Sequence, residues 1–134
     1  MKHKYKCMLM IDDDDDSTYL VKCYQERNKL AAHFYTFKTG KEAMDFIHSV
    51  NTGDKTVLNH FPDLILVDIN MPEMDGFDFL TEFKRIPIPE NEKPKIFILS
   101  GSNHPKDISR AGKFDIDGYF VKPFTNKQLN YLAS

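Results

Sequence analysis

The chain has 134 residues, 41% of them hydrophobic, and 18 Lys and Arg stand against 20 Asp and Glu for a net charge of −2. That length suits one domain with one core, and this apolar content excludes a disordered chain. The near-neutral balance, with no basic cluster to rival the aspartates at 12–16, argues against a nucleic-acid-binding surface.

The N-terminus opens Met1-Lys2-His3-Lys4 and runs into a short apolar stretch, CMLMI at 7–11. That stretch is too short to span a membrane, lacks a signal-cleavage pattern and has strand length. Leu20, Cys23, Tyr24 and Arg27 follow at helical spacing, with Ser17 as the expected N-cap. Residues 33–37 are aromatic and β-prone. Ala43, Ile47 and Val50 share the face of a second helix, which Thr39 is placed to cap. After a long connection over 51–61 comes a third apolar run at 64–67. Phe79, Leu80 and Phe83 mark a third helix. A proline-rich loop over 86–94 leads to a fourth run at 96–99. Ile108, Ala111 and Phe114 form a fourth helical stripe. Gly118 introduces a fifth strand at 119–121, and Leu129 with Leu132 marks a short last helix.

Five strand–helix alternations predict an α/β fold with a parallel sheet and right-handed crossovers. Runs apolar on both faces suit strands buried between helices. No repeat or linker interrupts the chain, so one domain over 1–134 is expected. Cys7 and Cys23 have neither CxxC nor metal spacing and read as buried free thiols of a reducing cytoplasm. His3, His33, His48, His60 and His104 show no ligand spacing and read as structural or surface residues. Gly40-Lys41 lacks the rest of a phosphate-binding loop. The alternating Asp12, Asp14 and Asp16 do not make an EF-hand, because Ser17 and Cys23 stand where a glycine and a glutamate are needed.

Four strands end in reactive polar residues: Asp12-Asp13, Asp68, Ser100 and Lys122. Open parallel sheets build their sites at the carboxyl ends of the strands, so these residues are expected to meet. Crowded carboxylates repel unless a cation joins them, and Mg²⁺ suits a few carboxylates plus phosphate oxygens. A carboxylate nucleophile, a metal, a lysine and a hydroxyl together make a phosphoryl-transfer site. Taken singly, each has a plainer reading. Acidic runs are usually solvated, which is how Asp15 and Asp16 read, and Ser100 or Tyr119 has ordinary capping or packing alternatives.

The strings MLMIDDD at 8–14, DLILVDINMPEMDG at 63–76, FILSG at 97–101 and YFVKPF at 119–124 together resemble the receiver domain of response regulators. The resemblance implies a flavodoxin-like (βα)5 three-layer sandwich with a five-stranded parallel sheet in the order 2-1-3-4-5. It implies that Asp68 is the phosphoacceptor, that Asp13 binds Mg²⁺ directly and that Asp12 acts largely through water. The Asn70 carbonyl becomes the third protein ligand, Ser100 the hydroxyl that bonds the phosphoryl group and Lys122 its ion-pair partner, with a cis Lys122–Pro123 bond. Tyr119 becomes the aromatic switch position. The implied partners are a sensor histidine kinase or histidine phosphotransfer protein and an unnamed downstream protein, with no nucleic acid and no membrane. The chain is then a signalling domain with self-catalysed phosphotransfer and dephosphorylation rather than an enzyme. A competing reading is a small phosphatase like the haloacid dehalogenases, with Asp12 as nucleophile and Asp14, Ser100 and Lys122 in support. It leaves NMPEMDG unexplained. A domain that keeps the fold without phosphorylation is opposed by the complete set of site residues.

Overall fold

The computed structural model describes residues 3–51, 61–71, 73–101 and 103–133. Five strands, β1 (Tyr5–Ile11), β2 (Ala31–Phe37), β3 (Leu64–Asp68), β4 (Lys95–Ser100) and β5 (Gly118–Val121), form one parallel sheet in the order β2-β1-β3-β4-β5. Between and after them lie α1 (Asp15–Asn28), α2 (Gly40–Asn51), α3 (Gly76–Phe83), α4 (Pro105–Gly112) and α5 (Asn126–Ala133).

Side chains alternate across a strand, so the continuous apolar runs feed two cores. Cys7, Leu9, Ile11, Ile65, Val67, Ile96 and Ile98 point to one face, against Met44 and Ile47 of α2, Phe79, Leu80 and Phe83 of α3, and Ala111 of α4. Met8, Met10, Leu64, Leu66, Phe97 and Leu99 point to the other, against Val21 and Tyr24 of α1 and Leu129 and Leu132 of α5. This is the expected three-layer sandwich. All five β3 residues are buried, and each aliphatic one contributes roughly 1.5–3 kcal/mol by leaving water. The outer strand β2 is only partly buried, as suits an edge.

Local details depart from the pattern read in sequence. Asp14, not Ser17, caps α1. Its carboxylate accepts the Asp16 N–H at 3.0 Å, and the Ser17 hydroxyl donates to it at 2.7 Å from inside the first turn. The buried face of α1 is Val21, Tyr24 and Gln25, while Leu20 is 41% exposed and Cys23 only half-buried. In α4 only Ala111 is buried. Ile108 is exposed, and Phe114 lies beyond the helix, stacked on Phe77 at 5.6 Å between ring centroids. The Thr39 cap of α2 is present, its hydroxyl oxygen accepting the Glu42 N–H at 3.1 Å.

The proline-rich 86–94 segment holds a short 3-10 turn, Glu90–Glu92. Most of the 51–61 connection, His60 included, lies outside the described residues. His48 sits 3.6 Å from Glu82, and His104 caps α4, its Nδ1 accepting the Lys106 N–H. The short α5 is held by Leu129 and Leu132 and by two tyrosines: the Tyr5 hydroxyl donates to the Leu132 carbonyl and the Tyr24 hydroxyl to Asn130 Oδ1.

Candidate functional site

Parallel pairing delivers the carboxyl ends of the strands to one edge. Ile11 pairs with Val67, Asp68 with Leu99 and Ser100 with Val121, so the residues that close β1, β3, β4 and β5 line up across the sheet. Asp12 and Asp68 are 3% and 4% exposed and Ser100 is fully buried, while Asp13 faces solvent.

One ammonium joins the end of β5 to those of β1 and β3. Lys122 Nζ lies 2.7 Å from Asp12 Oδ2, 3.0 Å from Asp68 Oδ2 and 3.9 Å from Asp14 Oδ2. The other carboxylate oxygens are fixed by the backbone two residues on: the Asp14 N–H donates to Asp12 Oδ1 and the Asn70 N–H to Asp68 Oδ1, both at 2.9 Å. The Asn70 side-chain amide donates to the Ser100 hydroxyl oxygen at 3.2 Å. The Lys122–Pro123 peptide bond is cis. Gly76, which starts α3, sits so close to β3 that a Cβ there would stand 2.4 Å from the Asp68 carbonyl oxygen.

Burial dominates the electrostatics. It pushes the Asp12 carboxyl up to about 6, with the Asp68 charge adding to the rise despite the opposing pull of Lys122 and the Asp14 N–H. Burial also works against the charge on Lys122, but the carboxylates of Asp12 and Asp68 outweigh it and raise its pKa. The Ser17 hydroxyl bond holds Asp14 below its ordinary value.

The donor set fits a hard divalent cation. Asp12, Asp13 and Asp68 each offer an oxygen within 4.8 Å of the others. Three carboxylates against one ammonium leave negative charge in excess. The buried Asp12 Oδ2, although close to Lys122, has no donor directed at it in hydrogen-bond geometry among the described residues. Oxygen ligands of this kind suit Mg²⁺ or a similar ion.

Asp12, Asp13, Asp68, Asn70, Ser100 and Lys122 are thus brought to one place. Tyr119 is not among them. It lies half-buried against the core on the α2, α3 and α4 side. Asp15 pairs with Lys38 at 3.1 Å on the surface. The sequence reading passed over the Asp14 approach to Lys122 and the Asn70–Ser100 contact. The first was hidden because any residue of the aspartate run satisfies the N-cap preference.

Residues 8–133 match the family model described as the response regulator receiver domain. The chain belongs to that family. Among relatives, this receiver domain is 27% identical over 133 residues to the two-component response regulator ORR1 of Oryza sativa subsp. japonica, covering 95% of this chain and 53% of the relative. It is 29% identical over 121 residues to the heme response regulator HssR of Staphylococcus epidermidis, covering 90% of this chain and 46% of the relative. The chain therefore spans about half the length of these curated relatives. A two-component response regulator structure from Cytophaga hutchinsonii matches with a TM-score of 0.81 at 27% identity, covering 98% of this chain and 96% of that one.

The phosphatase alternative is not supported. The family match is to receivers, and Asp14, the second acid it requires, serves as the cap of α1. No helix among the described residues is long and apolar enough to cross a membrane.

Proposed function

We propose that this receiver domain, extending over residues 1–134, takes a phosphoryl group onto Asp68 from a sensor histidine kinase or a histidine phosphotransfer protein. The observation that carries the reading is the position of Asp68: a buried carboxylate with Lys122 Nζ at 3.0 Å and the Asp12–Asp13 acids beside it. An Asp68 oxygen forms the P–O bond as the P–N bond to the donor imidazole breaks. Asp13, Asp68 and the Asn70 carbonyl would hold Mg²⁺, and Asp12 would act largely through water. The ion, when bound, neutralises charge on the phosphoryl oxygens.

Lys122 pairs with the transferred group and the Ser100 hydroxyl donates to it. Moving Ser100 opens space for Tyr119, and the α4–β5–α5 face shifts its population toward a second arrangement read by a downstream protein. A full swing from 1:99 to 99:1 needs about 5.5 kcal/mol, and one charge-assisted bond supplies roughly 1.5–3 kcal/mol, so Ser100 and Lys122 share the task. The same residues support slow self-catalysed hydrolysis. The purpose is a conformational signal in the cytoplasm, not turnover.

The test is covalent. With acetyl phosphate and Mg²⁺, borohydride trapping should label Asp68 alone, and Asp68→Asn should lose the label. Label at Asp12 instead, or label that persists in the variant, would remove Asp68 from this role.

A further inference from the structure

Next to the acidic pocket, and sharing Lys122 with it, a groove of about 340 Å³ runs between the start of α1 and the segment after β5, walled by Asp14, Asp16, Ser17, Leu20, Lys122, Pro123 and Phe124. Leu20, Pro123 and Phe124 give it an apolar side, and Asp14 with Lys122 a charged end. That end is built rather than loose. Asp14 Oδ1 accepts the Asp16 N–H at 3.0 Å and Oδ2 accepts the Ser17 hydroxyl at 2.7 Å, so the carboxylate is held in one orientation. Its Oδ2 lies 3.9 Å from Lys122 Nζ, and the same nitrogen is 3.0 Å from Asp68 Oδ2. A donor reaching Asp68 from this side, past Lys122, would carry its departing group by Asp14.

Resting on the assignment of Asp68 as acceptor, we propose that Asp14 is a specificity-determining residue that favours phosphoryl donors whose leaving group carries an N–H, imidazole above all, over donors whose leaving group is an anion. With a phosphoimidazole, an Asp68 oxygen forms the P–O bond while the P–N bond breaks and its electron pair stays on nitrogen. The other ring nitrogen already carries a proton, so neutral imidazole departs. That N–H donates to the Asp14 carboxylate, a charge-assisted bond, while the flat ring lies against Leu20, Pro123 and Phe124. With acetyl phosphate the same P–O bond forms, but the bond that breaks sends its pair to acetate. Negative charge then develops next to Asp14 and is repelled.

The experiment measures Asp68 labelling rates with acetyl phosphate and with monophosphoimidazole in wild type, Asp14→Asn and Asp14→Glu, each with Mg²⁺. Asparagine caps a helix as well as aspartate does, so Asp14→Asn removes the charge and keeps the cap; Asp14→Glu keeps the charge and weakens the cap. A unit charge close to the leaving group but screened by solvent and by Lys122 changes a rate by roughly 2- to 4-fold. Asp14→Asn should therefore accelerate acetyl phosphate and slow monophosphoimidazole, moving their ratio by about 5- to 10-fold, and Asp14→Glu should keep the wild-type ratio. A folding or metal-binding defect slows both donors together and leaves the ratio in place. A ratio unmoved in Asp14→Asn, or moved equally in Asp14→Glu, overturns the assignment of Asp14 while Asp68 stands. Wild type that takes label from neither donor overturns the acceptor reading and this one with it.

Discussion

Asp12 joins the proposed ion site to the stability of the fold. Its carboxyl rises from 3.8 to about 6 on folding, chiefly because it is buried. A carboxyl raised in this way adds stability that is fully present below the unfolded value of 3.8 and is lost as the pH climbs through about 6. Between pH 5 and pH 7.5 the loss in metal-free buffer is on the order of 1 kcal/mol. Replacing Asp12 by Asn removes this titration and leaves Lys122 its contact with Asp68 at 3.0 Å. In EDTA at pH 7.5, Asp12→Asn should thus be more stable than wild type, and the gap should shrink by about that amount at pH 5. Urea unfolding reads this as a change of roughly 0.5–1 M in the difference between midpoints. Far-UV circular dichroism is the suitable signal, since the chain has no tryptophan. Working with the difference cancels the exposed carboxylates that titrate in both proteins. Mg²⁺ at millimolar concentration and pH 7.5 should stabilise wild type more than the variant, as an ion held by the folded carboxylates would. A gap that is the same at both pH values, or an apo variant less stable than wild type at pH 7.5, would refute the reasoning.

Gly76→Ala should destabilise by about 3 kcal/mol in urea, because the added Cβ meets backbone atoms of Asp68 and Ile69 at 2.4 and 2.7 Å. Gly112→Ala, with no described atom within 4 Å of its Cβ, serves as the control and should not destabilise. Lys29 ends α1 in the left-handed region at φ 50°; Lys29→Gly should gain about 0.5–1 kcal/mol and raise Tm by roughly 2–4 °C, checked by thermal melting. Iodoacetamide at pH 8 should modify the half-buried Cys23 and spare Cys7, which is fully buried with its thiol pushed up to about 12 by that burial and by Asp63. Peptide mass mapping checks it, and equal modification of the two would show that β1 opens in the native protein.

The sheet and its site were legible because one property wrote both. Strands buried on two faces must be continuously apolar, so the first polar residue after each run marks the sheet edge. Asp12, Asp68, Ser100 and Lys122 are all such residues; Lys122 meets Asp12 and Asp68 directly, and Ser100 bonds Asn70 beside them. Helix faces were less legible. Leu20 and Ile108 fit a 3.6-residue stripe yet stay exposed, while Gln25 is buried, its side-chain oxygen accepting the Ala31 N–H. Periodicity gives a stripe's spacing but not its rotation about the helix axis; here the Tyr24–Asn130 bond accompanies the turn of α1 toward α5. The cap of α1 was illegible for a different reason. Within five consecutive aspartates, composition cannot choose the residue whose backbone is extended, and Asp14 is that residue, at φ −87° and ψ 110°.

The reach of Lys122 gives the sheet a brace that runs against the grain of its hydrogen bonds. The lysine follows an edge strand of four residues, yet its ammonium reaches past the neighbouring β4 to the carboxylates of Asp68, which ends the central strand β3, and Asp12, just after β1. Edge strands have pairing on one side only and are the easiest to peel. Here the edge is moored by charge to the middle of the molecule. A change of charge at the centre alters the tension on that mooring through one side chain, with no relay of intervening residues. Hydrogen exchange at Phe120 and Val121 should then report the charge state of Asp68 directly.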